Sequence, residues 1–331
     1  MILKLIKRLL IIVVVILAVF CIAMLIPRSI GILFPDKKPA GYHFVATNYL
    51  AVKTGLEKPV NLTPPIPEDI EEIKNIEYKN IDGKSLQLDI YRPKNINRPL
   101  PLLVFIHGGS WKSGKRSDYL VYLVDFAKRG YVTATVSYRL LKDGPYPACV
   151  EDVTGAVRWF FKNGEKYGYD PDRIALIGGS AGSHLALLAA YGWKGPADFS
   201  DIDSVQRKNH KVKAVVDIYG PIDLTTEYAR EKPQVVALLA HTYQEAPDLF
   251  AEASPLKYID ENDPPTLIFH GTSDELVPVS QSDTLKAGLD RLGVPCVYHR
   301  LPLWPHTMDV VKRVNDYFKI MMNDFFKQYL F

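Results

Sequence analysis

The sequence is poor in the residues that would mark several classes of protein. It has three cysteines in 331 residues, Cys21, Cys149 and Cys296, too few and too scattered for a disulfide framework or a zinc site. Cys21 falls in an apolar stretch, so at most one pairing is left open. Charge of one sign is also missing. Forty Lys and Arg against 37 Asp and Glu give a formal net charge of +3, a balance that does not argue for a nucleic-acid partner. No internal repeat or low-complexity tract is visible. No group of His, Cys and carboxylates has metal-ligand spacing, so neither a metal nor a cofactor is expected.

What is present begins with an apolar N-terminus. Residues 9–26 form an unbroken apolar run of roughly 18 residues, near the lower limit for a membrane-spanning helix. Lys4, Lys7 and Arg8 precede it, which favours a cytoplasmic N-terminus. Arg28, Lys37 and Lys38 follow the run and weaken that asymmetry. A cleaved signal peptide is the rival reading, but the run exceeds the usual apolar core and ends in Met24-Leu25-Ile26-Pro27, with no small-x-small cleavage site. The expectation is a single-pass cell-membrane anchor over residues 1–28, with the rest of the chain extracytoplasmic. A proline-bearing spacer over 29–70 should follow, with 42–60 partly ordered against one folded domain over 71–331. A hydrophobic fraction of 47% suffices for a sizeable core in that domain.

From Ile76 onward strand and helix patterns alternate. Residues 76–80 and 86–91 flank Asp82-Gly83, a hairpin signal. Residues 102–106 are continuously apolar, as a strand buried on both faces requires. Further strands are expected at 132–136, 173–177, 212–218, 266–269 and 296–301, and helices near 119–128, 148–166, 181–190, 280–292 and 308–329. A hairpin followed by strand–helix units implies a mostly parallel sheet of eight strands with helices on both faces. Such sheets carry their sites in loops beyond the carboxyl ends of the strands.

The run Ile177-Gly178-Gly179-Ser180-Ala181-Gly182-Ser183-His184 sits at one of those ends. It contains G-x-S-x-G, the spacing with which a strand turns sharply into a helix with a serine at the apex. Serine needs a base to take its proton, and the base needs an orienting carboxylate. In this strand order the acid follows the seventh strand and the base the eighth. That selects Asp274 in Phe269-His270-Gly271-Thr272-Ser273-Asp274 and His306 in Leu303-Trp304-Pro305-His306. Among the eight histidines, His299 lies inside a strand pattern, His184 and His270 read as supports, and His43, His210 and His241 as surface residues. Glu275 is one position off the expected acid. Attack would create an oxyanion, and Ile106-His107-Gly108-Gly109-Ser110-Trp111 after the third strand supplies a loop for it. Gly108 and Gly109 are the expected backbone donors with Ala181 as the third; His107 is expected to hold the loop, and Trp111 to pack or form pocket wall.

From about Glu71 to the C-terminus the chain resembles the α/β-hydrolase superfamily, in the esterase and lipase branch with a His-Gly-Gly oxyanion loop. That branch includes carboxylesterases, feruloyl and carbohydrate acyl esterases, and kynurenine formamidases. Ser137-Tyr138-Arg139-Leu140, Glu151-Asp152, Tyr219-Gly220-Pro221-Ile222-Asp223-Leu224 and Ser254-Pro255-Leu256-Lys257-Tyr258 are similar to family segments whose roles are mainly structural. Ser110 replaces a third glycine, and Gly179 and Ser183 replace an aspartate and a glycine of the hormone-sensitive-lipase-like group, which favours carboxylesterases over true lipases. The resemblance implies hydrolysis of small or medium acyl esters, with an amide hydrolase of formamidase type or a non-catalytic binding protein as alternatives. Two insertions, over residues 193–211 and 225–253, are expected near the pocket. Acyl and alcohol specificity and oligomeric state are not fixed by the sequence.

Overall fold

The computed structural model describes residues 2–33, 37–192 and 211–331. The insertion expected over 193–211 lies, apart from Lys211, outside them. Eight strands form one sheet: β1 (Ile70–Ile81), β2 (Lys84–Pro93), β3 (Leu100–Ile106), β4 (Val132–Val136), β5 (Tyr169–Gly179), β6 (Ala214–Ile218), β7 (Thr266–Gly271) and β8 (Cys296–Leu301). Their order is β1-β2-β4-β3-β5-β6-β7-β8. β2 runs antiparallel to β1 and β4, and the remaining pairs are parallel. The hairpin turns at Asp82 and Gly83, with φ of 49° and 84°, the pair of left-handed residues that a two-residue turn between twisted strands requires.

The helices are α1 (Ile2–Leu33), α2 (Val45–Lys53), α3 (Leu120–Lys128), α4 (Ala148–Lys162), α5 (Gly164–Tyr167), α6 (Ala181–Ala190), α7 (Glu227–Arg230), α8 (Pro233–Leu239), α9 (Pro247–Glu252), α10 (Ser280–Leu292) and α11 (Lys312–Leu330). The period-two alternation of the strands divides the core into two layers. Leu102, Val104 and Ile106 of β3 pack with α4, α6 and α10. Leu103 and Phe105 face the other way, toward α3 and α11. Because both faces are covered, the central strands read as unbroken apolar runs.

Two features outside the sheet matter. Residues of the 42–60 segment pack on the domain, in line with the partial order expected there: Tyr42, Asn48, Ala51 and Glu57 are all buried. The N-terminal helix is longer than its apolar run, and its stretch Lys4–Ile22 has a mean hydropathy of 3.0 with none of it buried. That is long and apolar enough to cross a membrane. The three cysteines are free.

The family-like segments after β4 and in α4 hold the edge of the sheet by charge. Arg139 grips the fully buried Asp152 through Nε at 2.7 Å and Nη2 at 2.9 Å, and Lys79 from β1 reaches the same carboxylate at 2.9 Å. Removing the carboxylate would leave two cations without their shared partner. Asp152→Ala should therefore lower unfolding free energy by about 3 kcal/mol, visible as a reduced urea midpoint; an unchanged midpoint would show that the network contributes nothing.

Candidate active site

β5 ends and α6 begins with almost no chain between them, and Ser180 is the hinge. Its φ of 56° is a left-handed conformation that costs a non-glycine residue roughly 1–3 kcal/mol. The neighbours leave no room for side chains. A Cβ on Gly178 would overlap the backbone of Gly182, and one on Gly182 would overlap the carbonyl oxygens of Ile106 and His107. The glycines of the motif are thus required by close approach of α6 to β5 and β3.

Ser180 Oγ lies 3.0 Å from Nε2 of His306, and Nδ1 of His306 lies 2.6 Å from Asp274 Oδ2. Asp274 is an acceptor, so Nδ1 carries the proton and Nε2 is left to accept one from the serine. The other carboxylate oxygen, Asp274 Oδ1, accepts from the backbone N–H of Leu276 and Val277, each at 2.9 Å. Burial by itself would raise the pKa of Asp274, but hydrogen bonds from His270 and His306 outweigh it and hold the carboxyl at about 2. It is ionised throughout the neutral range.

The other histidines separate cleanly. His299 on β8 stacks on Phe269 and its Nδ1 accepts from Tyr317 at 2.7 Å. Burial lowers its pKa to about 4. His184 donates from Nε2 to the carbonyl of Ala253 at 2.7 Å and accepts on Nδ1 from the Trp111 indole at 3.3 Å. It is fully buried, which pulls its pKa to about 4. Its grip on Trp111 fixes the loop after β3, where Ser110 and Trp111 both have positive φ. His107 stacks on Tyr138, whose hydroxyl donates to the His107 carbonyl at 2.8 Å. Gly108 of the same loop lies against Gly179, where a Cβ would overlap the Gly179 carbonyl and come within 3.5 Å of Ser180 Cβ. The loop carrying Gly108 and Gly109 and the first turn of α6 carrying Ala181 therefore meet at the serine. Glu275 is exposed and lies outside this cluster.

A cavity of about 90 Å³ opens at the serine, lined among others by Ser110, Trp111, Ala181, Tyr228, Val235 and Leu276. Tyr228, Lys232, Gln234 and Val235 come from the 225–253 insertion, which carries the short helices α7 to α9 and lies near the pocket as expected. Sequence reasoning missed the individual wall residues, and also the contact of His270 Nε2 with Asp274 Oδ2 at 3.3 Å and the Tyr219 ring against His306 at 4.5 Å. The four-residue spacing from His270 to Asp274 was the available signal for the former.

Among the described residues there is no group of three or more His, Cys, Asp and Glu able to hold a metal ion. Comparison with known proteins gives a consistent picture. A family model described as BD-FAE matches residues 88–289. Esterase LipQ of Mycobacterium tuberculosis is 33% identical over 241 residues, which cover 70% of this chain and 56% of that protein. Esterase LipC of the same organism is 30% identical over 261 residues, covering 75% and 64%. The chain thus spans between about half and two thirds of the length of these relatives. A truncated carbohydrate esterase from gut microbiota superposes with a TM-score of 0.67 at 25% identity, over 82% of this chain and 98% of that one. Esterase 2 of Thermogutta terrifontis with bound propionate superposes at 0.66 over 81% and 97%; at 24% identity it speaks to the fold alone.

The buried neutral histidines set a pH dependence. Unfolded His184 would take up a proton near pH 6.5, while the buried ring resists until about 4. The unfolded chain therefore binds more protons between those values, and stability falls as pH drops through that window, by about 1.4 kcal/mol per pH unit for this proton. His299 acts in the same direction. Asp217, Asp263 and Asp309, whose carboxyl pKa values burial raises, act in the opposite direction over this range. The test is therefore a difference: lowering pH from 7 to 4.5 should reduce the urea midpoint of the wild type in detergent relative to that of His184→Gln, and equal changes would contradict the buried neutral assignment.

Proposed function

The chain belongs to the BD-FAE family and has the α/β-hydrolase fold, and from this premise we propose that it is a serine carboxylic-ester hydrolase acting through an acyl-enzyme on small or medium acyl esters. The observation that carries the reading is the continuous hydrogen-bonded line from Ser180 through His306 to Asp274, opening on a cavity. Esterase names among the relatives support the same chemistry.

In this mechanism His306 takes the Ser180 proton as Oγ attacks the ester carbonyl carbon. The carbonyl π bond opens, and the resulting oxyanion is received by backbone N–H groups of Gly108, Gly109 and Ala181. Collapse breaks the bond to the alcohol oxygen, which leaves with the proton now on His306. Water, activated by the same histidine, then attacks the acyl-enzyme and releases the acid. Asp274 keeps Nδ1 protonated and stabilises the imidazolium. The cavity at Ser180, about 90 Å³ and lined by Trp111, Val235 and Leu276 among others, would receive the acyl group.

Ser180→Ala should abolish fluorophosphonate labelling and lower kcat by about 10⁶-fold, and His306→Ala should do nearly the same. His299→Ala should affect stability rather than turnover. Asp274→Asn should reduce kcat by about 10⁴-fold through the wrong histidine tautomer, whereas Glu275→Gln should be near neutral. Undiminished labelling of Ser180→Ala, or a reversed ranking within either pair, would place the chemistry elsewhere. A panel of p-nitrophenyl esters beside N-formyl substrates separates ester from formamide hydrolysis, and turnover of neither indicates a binding protein.

The apolar helix is proposed to anchor residues 71–331 at the cell membrane through the 29–70 segment, with Lys4, Lys7 and Arg8 cytoplasmic and the hydrolase domain outside. The apolar run over residues 9–26 has roughly 18 residues, about 27 Å of helix against a ~30 Å hydrocarbon core. Carbonate washing should leave the full-length protein in membranes. Protease added to intact cells should digest the domain, and full protection until lysis would reverse the topology.

A further inference from the structure

The turn that delivers the base is not held by its own domain alone. We propose that the segment from Pro39 to Val60, between the apolar helix and β1, is a positioning strap for His306, with Asn48 as the residue that fixes it. The proposal rests on the reading of His306 as the base. Residues 302–307 leave β8 through a contorted path. Leu303 and Thr307 both have left-handed φ, 63° and 56°, a conformation that a Cβ disfavours and that persists only where surroundings over-determine it. One side of the turn is held by the β7 loop. Leu303 N donates to Thr272 Oγ1 at 2.8 Å, and the Trp304 carbonyl accepts from Ser273 N at 3.0 Å.

The other side is held by the strap. Gly41 N donates to the Pro302 carbonyl at 2.8 Å. Asn48 Nδ2 donates to the Leu303 carbonyl at 3.1 Å, and the Trp304 indole donates to the Pro39 carbonyl at 3.1 Å. Three successive residues before Pro305 and His306 are therefore each tied to the strap. Arg313 at the start of α11 completes the clamp: its guanidinium lies 4.6 Å from the Trp304 ring, and it donates to Glu57 at 2.8 Å and to the Ala40 carbonyl at 2.9 Å. Beyond the histidine, Val60 N donates to the Val310 carbonyl and Lys312 N to the Lys58 carbonyl, both at 2.8 Å. His306 is thus bracketed by strap contacts on both flanks.

Asn48 is the junction. It is 3% exposed, and its Oδ1 accepts from Tyr42 N at 3.0 Å while Nδ2 also faces the carbonyls of Tyr42 and Phe44 at 3.2 Å. One amide holds the strap in shape and ties it to Leu303. Gly41 belongs to the same contact, since a Cβ there would come within 2.8 Å of Asn48 Oδ1. Both the strap and the base turn lie outside the family-matched residues 88–289.

The test uses the full-length protein in detergent, with active sites titrated by fluorophosphonate. Asn48→Ala removes the tie to Leu303, and Trp304→Phe removes the bond to Pro39 while keeping an aromatic ring. Tyr169→Phe is the stability control. It deletes a buried hydroxyl bond to Phe160 at 2.7 Å at the start of β5, the end remote from Ser180. A base displaced by a fraction of an ångström costs on the order of tenfold to a hundredfold in rate. Each strap variant should lose about tenfold or more in kcat per titrated site, with KM within about twofold and slower labelling of Ser180. Tyr169→Phe should lower Tm with kcat within about twofold. If Asn48→Ala does not fold, Trp304→Phe carries the same test. Strap variants with wild-type kcat per titrated site would overturn the proposal while leaving the Ser180 reading intact. A wild-type protein that Ser180→Ala does not inactivate would remove the reading on which it rests.

Discussion

The architecture of the site depends on the backbone of Ser180, a non-glycine residue kept at a φ of 56° where β5 turns into α6. A strained residue persists only when its surroundings leave it no alternative, and here the surroundings are β6 and the loop after β3. Ser180 N is tied to the Ile218 carbonyl of β6 at 2.9 Å. Gly182 fits against the carbonyls of Ile106 and His107, and Gly108 against that of Gly179. The serine turn and the proposed oxyanion loop therefore set each other's position, and neither can shift without a backbone collision.

Behind the line of Ser180, His306 and Asp274 runs a second buried polar chain that returns to the same helix. His270 contacts Asp274, and its Nδ1 lies 2.7 Å from Ser282 Oγ, which lies 3.3 Å from Asp217 Oδ2. Asp217 in turn accepts from Ser183, one turn beyond the nucleophile, and from Gly220 N at 2.8 Å. The ends of β6 and β7 and the first turns of α6 and α10 are thus stitched into one ring. Two carboxylates in this ring respond differently to burial. Asp274, with two histidines and two backbone N–H groups facing it, stays ionised near a pKa of 2. Asp217 is fully buried, and desolvation raises its pKa in spite of the hydroxyl and amide donors.

Strand positions, the order of parallel units and the grouping of Ser180, Asp274 and His306 at the strand ends were legible in the sequence because each follows from a simple rule. Alternating burial marks the strands, glycine spacing marks the elbow, and chain order selects Asp274 and His306 from their neighbours. Elements whose role depends on distant partners were not legible. Asn48 reads as an ordinary polar residue in a proline-bearing spacer until Leu303, 255 positions away, supplies its acceptor. His270 has the right neighbourhood, but only the fold turns its ring toward Asp274. The same holds for Trp111 and His184, an indole and an imidazole 73 positions apart whose contact shapes the loop after β3.

The machinery and the pocket wall come from different kinds of structure. Ser180, Asp274 and His306 follow the ends of β5, β7 and β8. Tyr228, Lys232, Gln234 and Val235 come from the insertion carrying α7 and α8, and Leu276, 57% exposed, from the β7 loop. The insertion is packed into the framework: Tyr146 N donates to the Leu238 carbonyl and His184 Nε2 to the Ala253 carbonyl, both at 2.7 Å, and Ala229, Val235, Leu238, Leu239 and Phe250 are buried in the core. Under the proposed function, discrimination among acyl and alcohol groups would fall to Tyr228, Lys232, Gln234 and Val235 of the insertion, and bond breaking to Ser180, Asp274 and His306 at the strand ends.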